Sequence, residues 1–268
     1  MIFGGEGSLS FASDNTYIRT SFHELALYFL NDDSQYWMVT TSFVLLSLFP
    51  LSLILTLGMV LMGSKYNFKY FILAFAGAWV VGIGLLIVSG TQIQREFWSE
   101  GRSQSKICVS PEAMDTVQVS VAELEDWFNI DNDHFFSIDE EKANVGAVRF
   151  DIEESPNDSI YIQSIRYARG ASVNEAKTRA SQIDYNLGMQ DDQLILDPYF
   201  TVYHNDKWRE QELYVMLLLP EGKSAYLGNG TEKVIWDIKN TSNTFDGNMS
   251  GKTWTMTPEG LTYVDCWN

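Results

Sequence analysis

A Gly-Lys-Thr triplet near the C-terminus, Gly251 to Thr253, matches the end of a phosphate-binding loop. Such a loop has the form Gly-x-x-x-x-Gly-Lys-Ser/Thr and opens a helix directly after a buried strand. Here only three residues separate Gly247 from Gly251, and the β-branched and aromatic segment that follows ends at Pro258, which disfavours a helix. The sequence therefore predicts a turn followed by a strand, and no bound nucleotide.

The acidic segment that begins at Asp131 invites comparison with a calcium-binding loop, because Asp131 and Asp133 occupy its first two ligand positions. An EF-hand loop continues with a further oxygen ligand, a glycine at position 6 and a glutamate at position 12. Phe135, Phe136 and Lys142 stand at those positions instead. We expect a solvated acidic loop without a metal ion.

The histidines and paired carboxylates do not form a recognisable catalytic pattern either. None of the three histidines, which are His23, His134 and His204, has a metal-ligand spacing to a cysteine or to another histidine. The acidic pairs Glu153-Glu154 and Asp191-Asp192 lie in or beside turn sequences, where acids commonly occur. The motifs Gly-x-Ser-x-Gly, His-Glu-x-x-His and Cys-x-x-Cys do not occur. We therefore predict a protein that is not an enzyme, with no catalytic residues, cofactor or metal site.

Two apolar runs without a charged residue dominate the first third of the chain. They cover residues 37–63 and 70–90, and each reaches the ~20 residues that a helix needs to cross ~30 Å of hydrocarbon. Pro50 lies inside the first run, where a membrane helix tolerates it as a kink. We predict a pair of transmembrane helices at 37–90, preceded by an extracytoplasmic leader at 1–36.

Lysines between the two runs suggest the orientation. The short loop carries Lys65 and Lys69 and no acid, so the positive-inside rule places it in the cytoplasm and both flanking regions outside. Arg95, Arg102 and Lys106, just after the second run, favour the opposite orientation. We take the two lysines as the topology determinants and predict a multi-pass protein whose C-terminal part is extracytoplasmic.

The region after residue 90 has the composition of an acidic water-exposed domain. It contains 15 of the 18 basic residues and 30 of the 35 acidic residues. This charge would repel phosphate backbones and anionic head groups, which argues against a nucleic-acid partner.

Short segments with period-two alternation, bounded by turn sequences, fill this region and predict half-buried strands. The predicted strands are 114–121, 145–152, 159–168, 192–197, 199–204, 212–220, 232–238 and 260–266. One helix is predicted at 171–183, with Ser172 as its cap and Val173, Ala176, Ala180 and Ile183 on one face. The fold class is therefore two transmembrane helices, a linker at 91–106, and a mainly-β domain at 107–268, either a solenoid, barrel or sandwich, with one short helix.

Cys108 and Cys266 lie near the two ends of this β-rich domain. In an oxidising compartment a disulfide between them could join the ends, and two free thiols are equally compatible with the sequence.

Three segments carry a resemblance to a known family. They are IRYARGASVNEAKTRASQIDYNL, LILDPYFTVYHNDKWREQELYVMLLLPEGKSAYL and VIWDIKNTSNTFDGNMSGKTWTMTPEGLTYVDC, which together span residues 165–266. They resemble the C-terminal region of the PspC-domain (phage shock protein C) membrane proteins of Bacteroidetes-type bacteria. The exit segment QIQREFWSEG and the helix pair fit the same pattern, whereas the N-terminal PspC domain of the family is absent from this sequence.

The resemblance implies an inner-membrane protein whose C-terminal domain is periplasmic and of the type called toastrack. It implies a sensing or scaffolding role in the envelope (phage shock) stress response, with membrane lipid and membrane or envelope proteins as partners, and self-association is also compatible with it. An adhesin-like or self-assembling anchored module without signalling is the alternative. Both interpretations remain open from the sequence.

Overall fold

A computed structural model describes residues 8–13, 16–63, 67–109, 114–122, 135–138, 141–146, 148–190 and 193–264. The described residues form four α-helices and fifteen strands. The helices are α1 Phe22–Phe29, α2 Asp33–Leu61, α3 Lys69–Glu96 and α4 Val173–Gln182. The strands are β1 Ser8–Ser13, β2 Thr16–Ser21, β3 Ser99–Val109, β4 Thr116–Val121, β5 Phe135–Ile138, β6 Lys142–Gly146, β7 Val148–Glu154, β8 Ile160–Gly170, β9 Leu187–Gln190, β10 Gln193–Leu196, β11 Phe200–Tyr203, β12 Glu212–Leu219, β13 Ser224–Leu227, β14 Lys252–Thr257 and β15 Gly260–Tyr263.

Helices α2 and α3 confirm the prediction of two long apolar helices. They contain 29 and 28 residues, with mean hydropathies of 2.4 and 2.6 in their most apolar windows. Only 11% and 6% of those windows are buried within the protein, unlike the core helix of a water-soluble domain. The two helices are therefore long and apolar enough to cross a membrane, and their outer surfaces suit contact with lipid.

Small and polar side chains form the contact between α2 and α3. A Cβ atom at Gly82 would lie 3.0 Å from the Cβ of Leu45 and 3.2 Å from the carbonyl oxygen of Ser42. The hydroxyls of Ser42 and Ser52 donate to carbonyl oxygens three residues earlier in α2, which satisfies them without a partner on the other helix. Close approach of the two backbones at Gly82 therefore contributes to the contact. The rings of Phe49 and Trp79, with centroids 5.8 Å apart, add a contact between large side chains.

Three sheets build the β-rich part of the chain. Their strand orders are β1-β2-β5-β6-β11, β15-β14-β13-β4-β10-β9 and β3-β8-β12-β7. Pairing is mixed: β12 pairs in parallel with β7 and antiparallel with β8. One hydrophobic cluster takes side chains from all three sheets, among them Phe200, Trp254 and Leu217. The prediction of a mainly-β domain with one short helix is confirmed.

Helix α4 follows the predicted pattern closely. The Ser172 hydroxyl accepts a hydrogen bond from the backbone N–H of Glu175 at 3.3 Å, which caps the helix as expected. Ala176, Ala180 and Ile183 are buried as expected, whereas Val173, the first residue of the helix, is 51% exposed. A Cβ atom at Gly101 would lie 2.1 Å from the backbone nitrogen of Lys177, so α4 requires a glycine in β3 beneath it.

Two sequence predictions differ from the structure. Residues 91–106, predicted as a linker, lie in regular elements, because α3 continues to Glu96 and β3 begins at Ser99. β3 is polar and mostly exposed, so it lacks the alternation that marks a half-buried strand. The predicted strand 232–238 is wrong: a short 3-10 helix is followed by a single bridge between Ile235 and Phe150. Asp237 then adopts φ 52°, which ends the extended backbone.

Candidate functional site

An ionic cluster lies where the end of α3 meets the β-rich domain. Four parts of the chain contribute to it: the end of α3, helix α4, the segment 204–211 between β11 and β12, and the turn between α1 and α2. We call this cluster the junction and define it by Asn31, Glu96, Arg179 and Arg209.

Glu96, the last residue of α3, is the centre of the junction. Its Oε2 lies 3.2 Å from Nη2 of Arg179 and 3.6 Å from Nε of Arg209. The Glu96 side chain is 16% exposed. An acid at the C-terminal end of a helix is disfavoured by the helix dipole. The two guanidinium groups offset this effect and tie α3 to two separate parts of the β-rich domain.

Arg209 has no exposed surface at all. Its Nη1 donates to the carbonyl oxygen of Trp208 at 2.6 Å and to that of Tyr28 at 3.4 Å, and its Nη2 donates to Oδ1 of Asn31. The ring of Phe97, directly after α3, lies 5.3 Å from the guanidinium carbon. One side chain from the β-rich domain therefore contacts both the α1–α2 turn and the end of α3. A fully buried guanidinium is stable only where its hydrogen bonds and ion pairs replace water.

The backbone around Arg209 is held in an unusual conformation. Lys207 and Glu210 adopt φ angles of 57° and 52°, a region that non-glycine residues rarely occupy. The Gln211 side chain bridges the segment, since its Oε1 accepts from the N–H of Arg209 and its Nε2 donates to the carbonyl of Lys207, each at 2.7 Å. The Arg209 carbonyl accepts from the N–H of Arg169 in β8 at 2.7 Å. The segment is thereby fixed to the sheet on one side.

The segment is fixed to the membrane-proximal helices on its other side. The N–H of Trp208 donates to the carbonyl of Tyr28 at 2.7 Å. The ring of Tyr28, which is 1% exposed, packs edge-on against His204 with their centroids 4.7 Å apart. α1 therefore docks on segment 204–211 through both backbone and aromatic contacts.

Burial shifts the titration of several junction groups. It lowers the pKa of the His204 imidazole, with a further lowering by Lys207. Burial and the nearby Arg209 and Arg179 guanidiniums lower the pKa of the Lys207 amine. Burial also raises the pKa of Asp206. Both arginines of the junction pair with Glu96, and Arg179 also pairs with the Glu175 carboxylate.

Sequence reasoning missed the junction, since neither arginine belongs to a motif and Glu96 falls in the predicted linker. Of the residues that it singled out, His204 lies in segment 204–211 beside the junction, whereas most of the others lie elsewhere or outside the described residues. Lys69 is the first residue of α3, and Cys108 is an exposed free thiol in β3. His23 contacts Asp33 at 2.8 Å. Lys65, Cys266, His134, Asp131, Asp133 and the pair 191–192 lie outside the described residues.

The Gly-Lys-Thr triplet has the context of a hairpin and not of a phosphate loop. Gly251 adopts φ 73° in a turn, and strand β14 begins at Lys252. No helix N-terminus is therefore available to hold a phosphate at this position. Within the described ranges, no three histidine, cysteine or acidic side chains form a group suited to a metal ion.

The structure defines the chain as a β-rich domain attached to two helices that are long and apolar enough to cross a membrane. The family described as the toastrack found in some PspC proteins matches residues 135–268, and the chain belongs to this family. Its expected membership is confirmed. A comparison with curated proteins finds no match.

Two solved structures are similar to part of the chain. They are candidate adhesins from Parabacteroides merdae and Parabacteroides distasonis, with 10% and 12% identity over 52% of this chain and TM-scores of 0.20. The matched part spans 38% and 37% of those two proteins. A TM-score at this level carries no conclusion about fold or function.

Proposed function

We propose that the chain is a bacterial inner-membrane protein of the envelope (phage-shock) stress response, which senses or scaffolds through a periplasmic toastrack domain and performs no catalytic step. The family membership supports the PspC-like assignment. The observation that carries the mechanism is the buried contact of Arg209 with Asn31 and Glu96. In this proposal the protein's lipid partners contact α2 and α3, and its protein partners lie in the membrane or the envelope.

The junction makes the helix pair and the β-rich domain one mechanical unit. A rotation of the domain relative to α3 would separate Glu96 from two guanidiniums and leave buried charges without partners. Loss of one partner from a buried ion pair lowers the free energy of unfolding by about 3–5 kcal/mol. The domain is therefore expected to move together with α3 unless the whole cluster rearranges. A ligand that favours one arrangement of the domain would thereby change the position of the helices.

A complementation experiment tests this coupling. Cells lacking the gene, challenged with membrane-perturbing agents, should show an altered stress transcript or increased leakage, and the wild-type gene should restore both. Glu96→Gln and Arg209→Gln should fail to restore them at protein levels equal to wild type. Arg102→Gln is the matched control, because Arg102 is an exposed arginine in β3. Full rescue by the two junction variants would contradict the coupling mechanism.

Cys108 offers a direct test of the proposed orientation. The thiol is exposed in β3, twelve residues beyond Glu96, which is the last residue of α3. In a Cys266→Ser background, a membrane-impermeant maleimide should label Cys108 in cells whose outer membrane alone is permeabilised. Labelling that requires lysis of the inner membrane would place the domain in the cytoplasm and overturn the orientation.

Strand β3 favours the alternative of a self-assembling module. It lies at the end of its sheet, pairs only with β8 among the described strands, and runs for eleven residues. A long edge strand is a template for pairing with another chain. Light scattering of the full chain in detergent distinguishes the two proposals, because a stable oligomer that Lys106→Pro disperses favours assembly through this edge.

A further inference from the structure

A cleft of about 460 Å³ lies on the face of the β3-β8-β12-β7 sheet that points away from the hydrophobic core. Its floor contains Ile165, Tyr167, Tyr214 and Met216, which alternate along β8 and β12 with buried residues such as Leu213. The volume is within the range of pockets that hold small molecules or peptide side chains. The cleft shares none of the four residues that define the junction. Two of its lining residues are nevertheless close to junction residues along the chain, since Glu100 follows Glu96 and Glu210 follows Arg209.

Carboxylates form the walls of this cleft. Its five acidic residues are Glu100, Asp151, Glu153, Glu210 and Glu212. Arg169 pairs with Glu210 at 3.0 Å and with Glu100 at 3.5 Å, and Arg149 pairs with Glu212 at 3.0 Å. Among the described residues, no basic group lies within ion-pair distance of Asp151 or Glu153.

Asp151 is the carboxylate whose environment most favours an incoming cation. Burial raises its pKa to about 6, and the nearby Glu153 and Asp237 add to the effect, whereas its hydrogen bond from the N–H of Ile152 at 2.7 Å and the more distant Lys239 oppose it. The ionised carboxylate of Asp151 therefore lacks a positively charged partner that would stabilise it. A positive group placed in the cleft would replace the missing interaction.

The floor adds an attraction that is independent of these charges. The rings of Tyr167 and Tyr214 pack edge to face with centroids 5.7 Å apart. An arginine already lies over each ring. Cζ of Arg149 is 5.0 Å from the centroid of the Tyr214 ring, and Cζ of Arg102 is 5.9 Å from that of the Tyr167 ring. An aromatic and aliphatic floor favours the apolar part of a ligand and the cationic groups that stack on it.

We propose that this cleft binds a cationic amphipathic peptide, with a basic side chain between Asp151 and Glu153 and an apolar side chain on Tyr167, Tyr214 and Met216. Charge complementarity selects this occupant, because acidic or phosphate-bearing ligands would be repelled. The described acids do not converge as metal ligands, which favours an organic cation over a metal ion. Binding here goes beyond the proposed stress function and does not depend on the junction.

Calorimetry on the full chain in phosphatidylcholine nanodiscs tests the proposal, because zwitterionic lipid limits binding of the peptide to the membrane. The probe is the hexapeptide Lys-Leu-Lys-Leu-Lys-Leu with amidated C-terminus. The isosteric pair Asp151→Asn and Glu153→Gln should raise its Kd about tenfold. The pair Glu221→Gln and Glu259→Gln removes the same charge from exposed turns outside the cleft and should leave Kd unchanged.

A second pair of measurements tests the floor. Replacing leucine by glycine in the peptide, or Met216 by alanine in the protein, should weaken binding several-fold. Equal weakening by the two charge pairs, equal affinity of the glycine analogue, or no binding by the wild-type chain would each overturn the proposal. Such a failure would leave the complementation result for Glu96 and Arg209 unaffected, so the two proposals are separable.

Discussion

The helix pair and the β-rich domain bury opposite kinds of side chain. Along α2 and α3 the buried residues are Gln35, Ser42, Ser52, Thr56, Gly82 and Ser89, whereas leucine, valine and phenylalanine side chains are largely exposed. In the β-rich domain the largest buried side chains include Trp254, Phe150 and Leu217, and Arg209 is the largest of the few polar side chains buried with them. The first arrangement is stable where hydrocarbon surrounds the helices, and the second where water does.

This difference explains why the junction is ionic. At the end of α3 neither lipid nor the hydrophobic core of the β-rich domain supplies the contact. Glu96, Arg179 and Arg209 join the two regions through charge and hydrogen bonds, and the ring of Phe97 packs against the Arg209 guanidinium. The boundary between the two packing modes is therefore held by ion pairs and charge-assisted hydrogen bonds, which are stronger than hydrogen bonds between neutral groups.

The largest expected effect is at this boundary. Arg209→Gln should lower the free energy of unfolding by about 4 kcal/mol, because it removes one of the two guanidiniums that pair with Glu96 and leaves Oδ1 of Asn31 without its buried donor. Thermal unfolding of the full chain in nanodiscs, followed by tryptophan fluorescence, measures the loss. In a double-mutant cycle with Glu96→Gln the two losses should be strongly non-additive, and additive losses would show that the residues do not interact.

Truncation of a leucine should affect the stability of the two regions differently. Leu217→Ala, in the centre of β12 with no exposed surface, should cost about 3 kcal/mol, since it removes transfer energy and leaves a cavity. Leu57→Ala is the matched control on α2, where the side chain is 61% exposed and faces the lipid side. The same unfolding measurement should show little change for it. A comparable loss at Leu57 would mean that this face of α2 packs against protein.

Enlarging a glycine should disturb the helix pair and leave the β-rich domain intact. Gly82→Leu would collide with Leu45 and Ser42, and overpacking of this kind costs about 2 kcal/mol. Gly84→Leu, two residues away, meets no atom within 4 Å and should be tolerated. Spin labels on α2 and α3 should report a longer distance only for Gly82→Leu. An unchanged distance in both variants would contradict close packing at this glycine.

The smallest expected effect concerns the pH dependence of the β-rich domain. The pKa of Asp151 is raised to about 6 in the folded chain from an ordinary 3.8, so the folded state binds the proton more tightly. The contribution of Asp151 to stability should therefore be greatest below pH about 4 and should fall as pH rises through about 6. Because water reaches the cleft, we expect a loss of about 1 kcal/mol.

Asp151→Asn should remove this dependence. The amide oxygen can still accept the hydrogen bond from Ile152, while the buried charge is lost. The variant should be about 1 kcal/mol more stable than wild type at pH 8 and equal to it at pH 4. Glu221→Gln, in an exposed turn, is the control. A wild-type profile retained by Asp151→Asn would assign the titration to another group.

Much of the fold could be predicted because its signals are local. The absence of charge over 37–63 and 70–90 predicts the helix pair, and alternation predicts strands such as β8 and β12. Ser172 predicts the start of α4, since a capping side chain acts on the backbone three residues later. The polar strand β3 escaped prediction, because an edge strand with both faces partly exposed has no apolar period.

The sequence by itself determined the two apolar spans, the acidic β-rich domain and the turn at Gly251, since each depends on residues close together in the chain. Only the tertiary structure decided that Arg209 meets Glu96 and Asn31, and that carboxylates from three strands and a loop surround one cleft. Any of the 18 basic residues could pair with Glu96 as far as composition is concerned. The choice is made by packing, because only a folded chain brings distant side chains out of water together.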